Sequence, residues 1–220
     1  MLRTKDLFDL SHTLAGEYLA KYEYPWQSLS GIKGLIISLG KSLDMNEYLI
    51  HGENIFIHKT AVVSPAAYIG SPCIIGRNAE IRHCAFIRGS ALIGENCVVG
   101  NSTEIKNSIL FDGVQVPHYN YVGDSILGYK SHMGAGSVTS NIKSDKTLIV
   151  VRSDEESIET GLIKMGAMLG DLVEVGCNSV LNPGTMVGRE SNIYPLSSVR
   201  GVVPSHSIWK TGGVVVKKHD

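Results

Sequence analysis

The chain has 220 residues, room for one large domain or a domain with a small appendage. It is 43% hydrophobic and 19% charged with a net charge of −1, so it lacks the basic excess expected of a nucleic-acid partner. No apolar run is long enough to span a bilayer, and the first ten residues carry Lys5, Asp6 and Asp9 where a secretory signal would be apolar, which together predict a cytoplasmic protein.

Residues Thr4 to Lys21 read as a helix, with Leu7, Leu10, Leu14 and Leu19 near one stripe and Pro25 as the break. A second helix is predicted from Ser30 to Leu39, with Ile32, Leu35, Ile36 and Leu39 on its apolar face and Gly40 at its end. Residues 1–53 are therefore expected to form a helical cap over the open N-terminal end of the domain that begins at residue 54.

From residue 54 to about 205 the dominant signal is a period of six. Aliphatic residues recur at Ile57, Val63, Ile69, Ile75, Ile81, Ile87, Ile93, Val99 and Ile105. Two positions earlier stand small residues: Ala61, Ala67, Cys73, Ala79, Ala85, Ala91, Cys97 and Thr103. The steps shorten through Leu110, Val116, Val122, Leu127 and Met133, then return to six from Leu169 to Val199. Each hexad is a short strand and a bend. Its aliphatic residue points inward, and so does the small residue two before it, by the strand period of two. Three hexads close one coil, and coils stack by parallel ladders about 4.8 Å apart. Four cysteines, at 73, 84, 97 and 177, match no zinc spacing and read as packing residues. Residues 139–166 leave the rhythm as an excursion with a charged turn, and 206–220 form a C-terminal tail with a strand.

The residues that precede each inward aliphatic point outward. One face then carries Phe56, Ile74, Leu92, Ile109 and Ile126, apolar at every level. A second carries Val62, Glu80, Val98, Gln115 and His132, and a third Tyr68, Phe86, Glu104 and Tyr121. A continuous apolar column needs a cover. The helical hairpin looks too short for the lower levels, so a second subunit is expected on that face.

Stacking also brings Arg88 over Lys106. Two cations one strand apart repel, which suggests a bound anion such as phosphate, unless they splay into solvent or pair with Glu104. His118, amid Tyr119, Asn120 and Tyr121, is a candidate general base or a structural histidine.

The segments FIRGSALIG, VGNSTEIKNS, PHYNYVGDS, GAGSVTSN and KMGAMLGDLVEVGCNSVLNPGTMVG carry a resemblance. They are similar to the acetyltransferase domain of bifunctional N-acetylglucosamine-1-phosphate uridylyltransferase/glucosamine-1-phosphate acetyltransferases and of archaeal-type sugar-1-phosphate nucleotidylyltransferases. The resemblance implies a left-handed parallel β-helix and a homotrimer with active sites between subunits. It implies acetyl-CoA as co-substrate and an amino-sugar 1-phosphate as acceptor. His118 matches the catalytic base, and Arg88 and Lys106 the cations that hold the sugar phosphate. Tyr121 and Asn141 match sugar-site residues. His132 is assigned to the substrate as well, although it stands where the bacterial enzymes have asparagine; Ile142 stands where they have tyrosine. Ala135, Cys177 and Pro195 fall where the family contacts acetyl-CoA. The GxGTRM-type nucleotide loop of the uridylyltransferase half is absent from this sequence, and residues 1–53 are too few for that domain.

Two other readings are carried forward. The chain could be a non-catalytic trimeric partner of a separate sugar nucleotidylyltransferase. It could also be a β-helix metal hydrolase using His83, His118 and His132, although these lack the close histidine pair of that class.

Overall fold

The six-residue period becomes three flat faces. A computed structural model describes residues 1–218. In it the hexads form a left-handed parallel β-helix whose strands fall into sheets of nine, nine and seven. Each coil contributes one strand to each sheet. Register is regular: Cys73–Ile75 lies on Ala91–Ile93, which lies on Ser108–Leu110. The shortened steps are absorbed where Ile93, Leu110 and Leu127 stack directly. From Ile75 to Met133 every inward aliphatic residue is buried. Cys73 and Cys97 lie in this core as expected, and burial pushes both thiols up to about 12. Cys84 and Cys177 do not; both are exposed.

The excursion is larger than a loop. Ile126 pairs with Met168 and Val138–Thr139 still lies in the third face, so the chain leaves the coil after residue 139 and rejoins it at 167. Within it Val150–Arg152 and Ser157–Glu159 form an antiparallel hairpin. At the far end, Ser207–Lys210 and Val214–Lys217 pair antiparallel and finish the second face. The expected tail is thus a hairpin up to residue 217; residues 219 and 220 lie outside the described residues. No helix among the described residues is long and apolar enough to cross a membrane.

The N-terminal segment departs from the expected cap in two ways. First, Thr4–Lys21 is not one helix. It is α1 (Thr4–Leu7), a 3-10 turn (Leu10–His12) and α2 (Gly16–Leu19). The Asp9 side chain accepts from the Ser11 backbone at 3.0 Å and the Thr13 hydroxyl from Ala15 at 3.1 Å. Such local bonds compete with helical ones. The second helix, α3 (Ile32–Gly40), is close to expectation and follows a 3-10 turn over Pro25–Gly31.

Second, the helices do not close the end of the solenoid; only the strand Tyr48–Gly52 does so, pairing antiparallel with Ile55–His58 at the first edge. Residues 1–40 run along the apolar first face, antiparallel to the direction in which coils are added. Gly40 rests on the Phe56 ring, where a Cβ would collide with it. Higher up, Asn107 donates to the Leu29 carbonyl at 3.4 Å, and Phe8 packs on Phe111 with centroids 5.0 Å apart. Asp171 is the uppermost tie to the solenoid: its backbone donates to the Leu7 carbonyl, and its carboxylate accepts from the Asp9 backbone at 2.7 Å. The N-terminal ammonium meets Glu156 of the excursion at 2.6 Å. Ile74, Leu92, Ile109, Ile126, Met168 and Met186 are at most 1% exposed, under the strap and, at the upper levels, the excursion, whose residues 149–152 back onto Gly184 and Gly201. The expectation that Ile109 and Ile126 require a second subunit is therefore corrected. The expected short hairpin is an extended strap, and extended chain covers more length per residue than helix.

Ile109→Ala should lower the free energy of unfolding by about 2–5 kcal/mol in urea titrations, as for a large-to-small change in a packed core. Ile36→Ala, on the strap side of the same contact, should cost a comparable amount. An unchanged urea midpoint for Ile36→Ala would mean that the strap does not hold the first face in solution.

Candidate functional site

The corner between the second and third faces carries one column of interest. His118 ends the strand Gln115–His118 and pairs with Asn101 in the coil below. At each level the residue after the column position donates its backbone N–H to the carbonyl one coil down. Gly136 donates to His118 at 3.0 Å, Asn178 to Ala135 at 2.8 Å and Leu196 to Cys177 at 2.9 Å. His118, Ala135, Cys177 and Pro195 thus stand one above another. The base candidate and all three cofactor candidates share a single edge of the prism. Residues with positive φ close this corner at Tyr119, Gly136, Asn178 and Leu196.

His118 is exposed, and its ring makes no hydrogen bond among the described residues. Its backbone is held instead: the N–H donates to Asn120 Oδ1 at 3.1 Å. Asn120 is buried and donates to the Gly134 carbonyl at 2.8 Å. The corner is rigid while the imidazole is free to meet a ligand.

Above His118 lies a groove of about 540 Å³ lined by Gly134, Gly176, Cys177, Tyr194 and Pro195, with His132 and Glu174 on one wall. Its floor is Gly134, Gly176 and Cys177, and Val175, Asn192, Ile193 and Ile208 complete the lining, an open surface with more apolar than polar groups, as ligand grooves commonly are. His132 belongs to this groove. It projects from the second face, with Nδ1 2.7 Å from Glu174 Oε2. It does not join the other four residues assigned to the acceptor.

Those four converge on the third face. Arg88 and Lys106 stack as the register requires, with the Arg88 N–H on the Ile105 carbonyl at 2.9 Å. Each cation has a carboxylate partner. Arg88 Nη1 donates to Glu104 at 2.8 Å, the pairing that the sequence had left open. Lys106 Nζ lies 3.0 Å from Asp124 Oδ2. Asn107 donates to the same carboxylate at 2.8 Å, and Asn141 donates to it too. Asp124 is therefore the hub that aligns Lys106, Asn107 and Asn141. Its place could have been read by extending the stack, since it stands one coil above Asn107. Gly123 completes the Arg88–Lys106 column. A Cβ there would lie 2.5 Å from the Tyr121 hydroxyl, so the missing side chain lets the Tyr121 ring fold across. Burial raises the Tyr121 pKa, with the Asp124 and Glu104 carboxylates adding to the rise; Arg88 and the Asn141 hydrogen bond oppose it. The phenol stays protonated and able to donate near neutral pH.

His83, His118 and His132 do not converge: no group of three or more His, Cys, Asp or Glu suited to a metal ion occurs among the described residues.

Residues 85–162 match the family model described as the GMPPB C-terminal domain. An archaeal bifunctional sugar-1-phosphate nucleotidylyltransferase/acetyltransferase from Sulfurisphaera tokodaii is 34% identical over 88 residues, 40% of this chain and 22% of that one. The bifunctional protein GlmU of Methanococcus maripaludis is 34% identical over 112 residues, 50% of this chain and 27% of that one. The chain resembles the hexapeptide-repeat acyltransferases. It spans about a quarter of the length of these two relatives. Among solved structures, the polySia-specific acetyltransferase NeuO is similar at 16% identity and a TM-score of 0.45, over 72% of this chain and 82% of that one.

Thiol titration reads the two cysteine environments directly. Of the four cysteines, Cys84 and Cys177 should react promptly in the native protein, and Cys73 and Cys97 only on unfolding. Prompt reaction of all four would contradict the packed core.

Proposed function

We propose that this chain is an acetyl-CoA-dependent N-acetyltransferase whose acceptor is an amino-sugar 1-phosphate. The observation that carries this reading is the corner column. A free imidazole stands below Ala135, Cys177 and Pro195 on one corner beside an open groove, and a cationic pocket opens on the adjoining face. Acetyl-CoA would lie along Ala135, Cys177 and Pro195 with its thioester at the level of His118. The sugar phosphate would sit against Arg88 and Lys106, with Tyr121 and Asn141 beside the ring. Tyr121 begins the strand that follows His118 across the corner, so the two subsites adjoin around that edge.

Arg88 uses one of its donors on Glu104 and keeps the others for a ligand, and Lys106 likewise keeps donors beyond its bond to Asp124. His118 accepts a proton from the sugar amine as the nitrogen attacks the thioester carbonyl. The C–N bond forms, a tetrahedral intermediate collapses, and the C–S bond breaks. The imidazolium returns its proton to the departing thiolate. A backbone N–H is the expected donor to the oxyanion. Holding amine and thioester together supplies much of the remaining rate.

A homotrimer remains part of this proposal, but its contact moves off the strapped first face. On the third face Tyr68 and Phe86 remain exposed and stack on each other edge to face. A second copy seated there would also border Tyr121. Light scattering at micromolar concentration should give three times the chain mass; a monomer would remove this part of the proposal.

With acetyl-CoA and a panel of amino-sugar 1-phosphates, His118→Ala should lower kcat by at least about 100-fold without loss of fold. Arg88→Ala and Lys106→Ala should each raise KM for the phosphorylated acceptor and spare the unphosphorylated sugar. Full activity of His118→Ala would remove the base. Failure to bind acetyl-CoA at all would instead favour the non-catalytic partner.

A further inference from the structure

The cationic pocket on the third face has a wall that the solenoid does not supply. It encloses about 320 Å³ and is lined by Ser71, Arg88, Ser90, Lys106, Asn107 and Asp124, together with Lys33 of α3. Lys33 belongs to the strap. The repeat has no position for it, and it lies outside the 85–162 segment matched by the family model.

Charge accounting singles out this residue. Arg88 is paired with Glu104 and Lys106 with Asp124. Each pair is formally neutral. Lys33 has no carboxylate or hydrogen-bond partner among the described residues. The uncompensated positive charge of the pocket is therefore that of Lys33. A neutralised cation still offers hydrogen bonds to an anion, but long-range attraction comes from net charge.

The position of Lys33 is also fixed. Its neighbour Ile32 and the next-turn residue Ile36 are fully buried, and Gly40 is seated on Phe56. Asn107 links strap and pocket. The same amide donates to the Leu29 carbonyl and to the Asp124 carboxylate. The backbone that carries Lys33 is thus tied to the group that orients Lys106 and Asn141.

We infer that Lys33 is a specificity-determining residue for the phosphate of the acceptor, carried into the pocket by the N-terminal strap. The inference rests on the reading of the pocket as the acceptor's phosphate subsite. Its chemistry is that of a phosphate group, whether on a sugar monophosphate or in the diphosphate of a nucleotide sugar. A third cation beside two neutralised ones adds attraction for the more highly charged form.

The test uses the full chain. Lys33→Ala should raise KM for a phosphorylated amino sugar about 3- to 10-fold, as expected for loss of one charge-assisted contact at a solvent-exposed site. It should leave kcat and the turnover of the unphosphorylated sugar unchanged. Lys33→Arg should restore most of the loss. A monophosphate and a nucleotide-diphosphate acceptor run in parallel identify the source, the true one showing the larger dependence on Lys33. An unchanged KM for both, or an equal loss on the unphosphorylated sugar, would overturn the inference. A second readout needs no catalysis: the stabilisation of the wild-type chain by inorganic phosphate or pyrophosphate, followed by thermal unfolding. Lys33→Ala should weaken it at low salt. Equal stabilisation of wild type and Lys33→Ala would overturn the role of Lys33 even in an active enzyme. Absence of acetyl transfer with Lys33-dependent anion binding intact would overturn the transferase reading and leave standing only the role of Lys33 in binding the anion.

Discussion

Vertical stacking through the parallel ladder is the constraint on which the rest of this protein depends. Each residue lies on the one a coil earlier, because the backbone N–H and C=O groups of adjacent coils must pair when water is excluded. That requirement makes a column out of any set of residues spaced by one coil. His118, Ala135, Cys177 and Pro195 are aligned for this reason and for no other. Arg88 and Lys106 are stacked by the same ladder despite their like charge.

Like charges at strand spacing are unfavourable, and the molecule answers this with carboxylates inserted beside them. Glu104 sits next to Arg88, and Asp124 next to Lys106. Asp124 is mostly buried, where a carboxylate with unfilled acceptors would be costly. Lys106, Asn107 and Asn141 fill them. The resulting cluster is preorganised, so a ligand meets donors that are already aligned. On the opposite wall of the same pocket, the strap contributes a cation without any such partner.

The strap solves a second problem posed by the ladder. A face that is apolar at every coil presents a long stripe to solvent, and such a stripe requires a cover. Here the chain covers its own stripe. Burial alone does not set the position of the strap, since hydrophobic contact is non-directional. Polar ties do: Asp171 to the backbone of residues 7 and 9, Asn107 to Leu29, and the amino terminus to Glu156. Because the first face is filled in this way, its apolar stripe is not open to a second copy.

The sequence by itself determined the repeat, the inward residues, the stacking of Arg88 on Lys106 and the outward identity of each face. All of these follow from a local period, and a period is visible in one dimension. α3 was legible from its helical period, and so was the last strand of the tail, but not its antiparallel pairing with Ser207–Lys210. What the tertiary structure decided was everything that depends on segments distant in the chain. The reading of Thr4–Lys21 as one helix failed because Asp9 and Thr13 spend their side chains on nearby backbone, and because Asp171 fixes Asp9 from far along the sequence. The cap became a strap because leucine spacing states that a face is apolar, not which surface it meets. His132 left the acceptor residues because its hexad position puts it on the second face, where it meets Glu174, while the other four converge on the third; only the resemblance had grouped them. Lys33 had no signal at all: a lone lysine on a short helix acquires meaning only when the strap lays it beside Arg88 and Lys106.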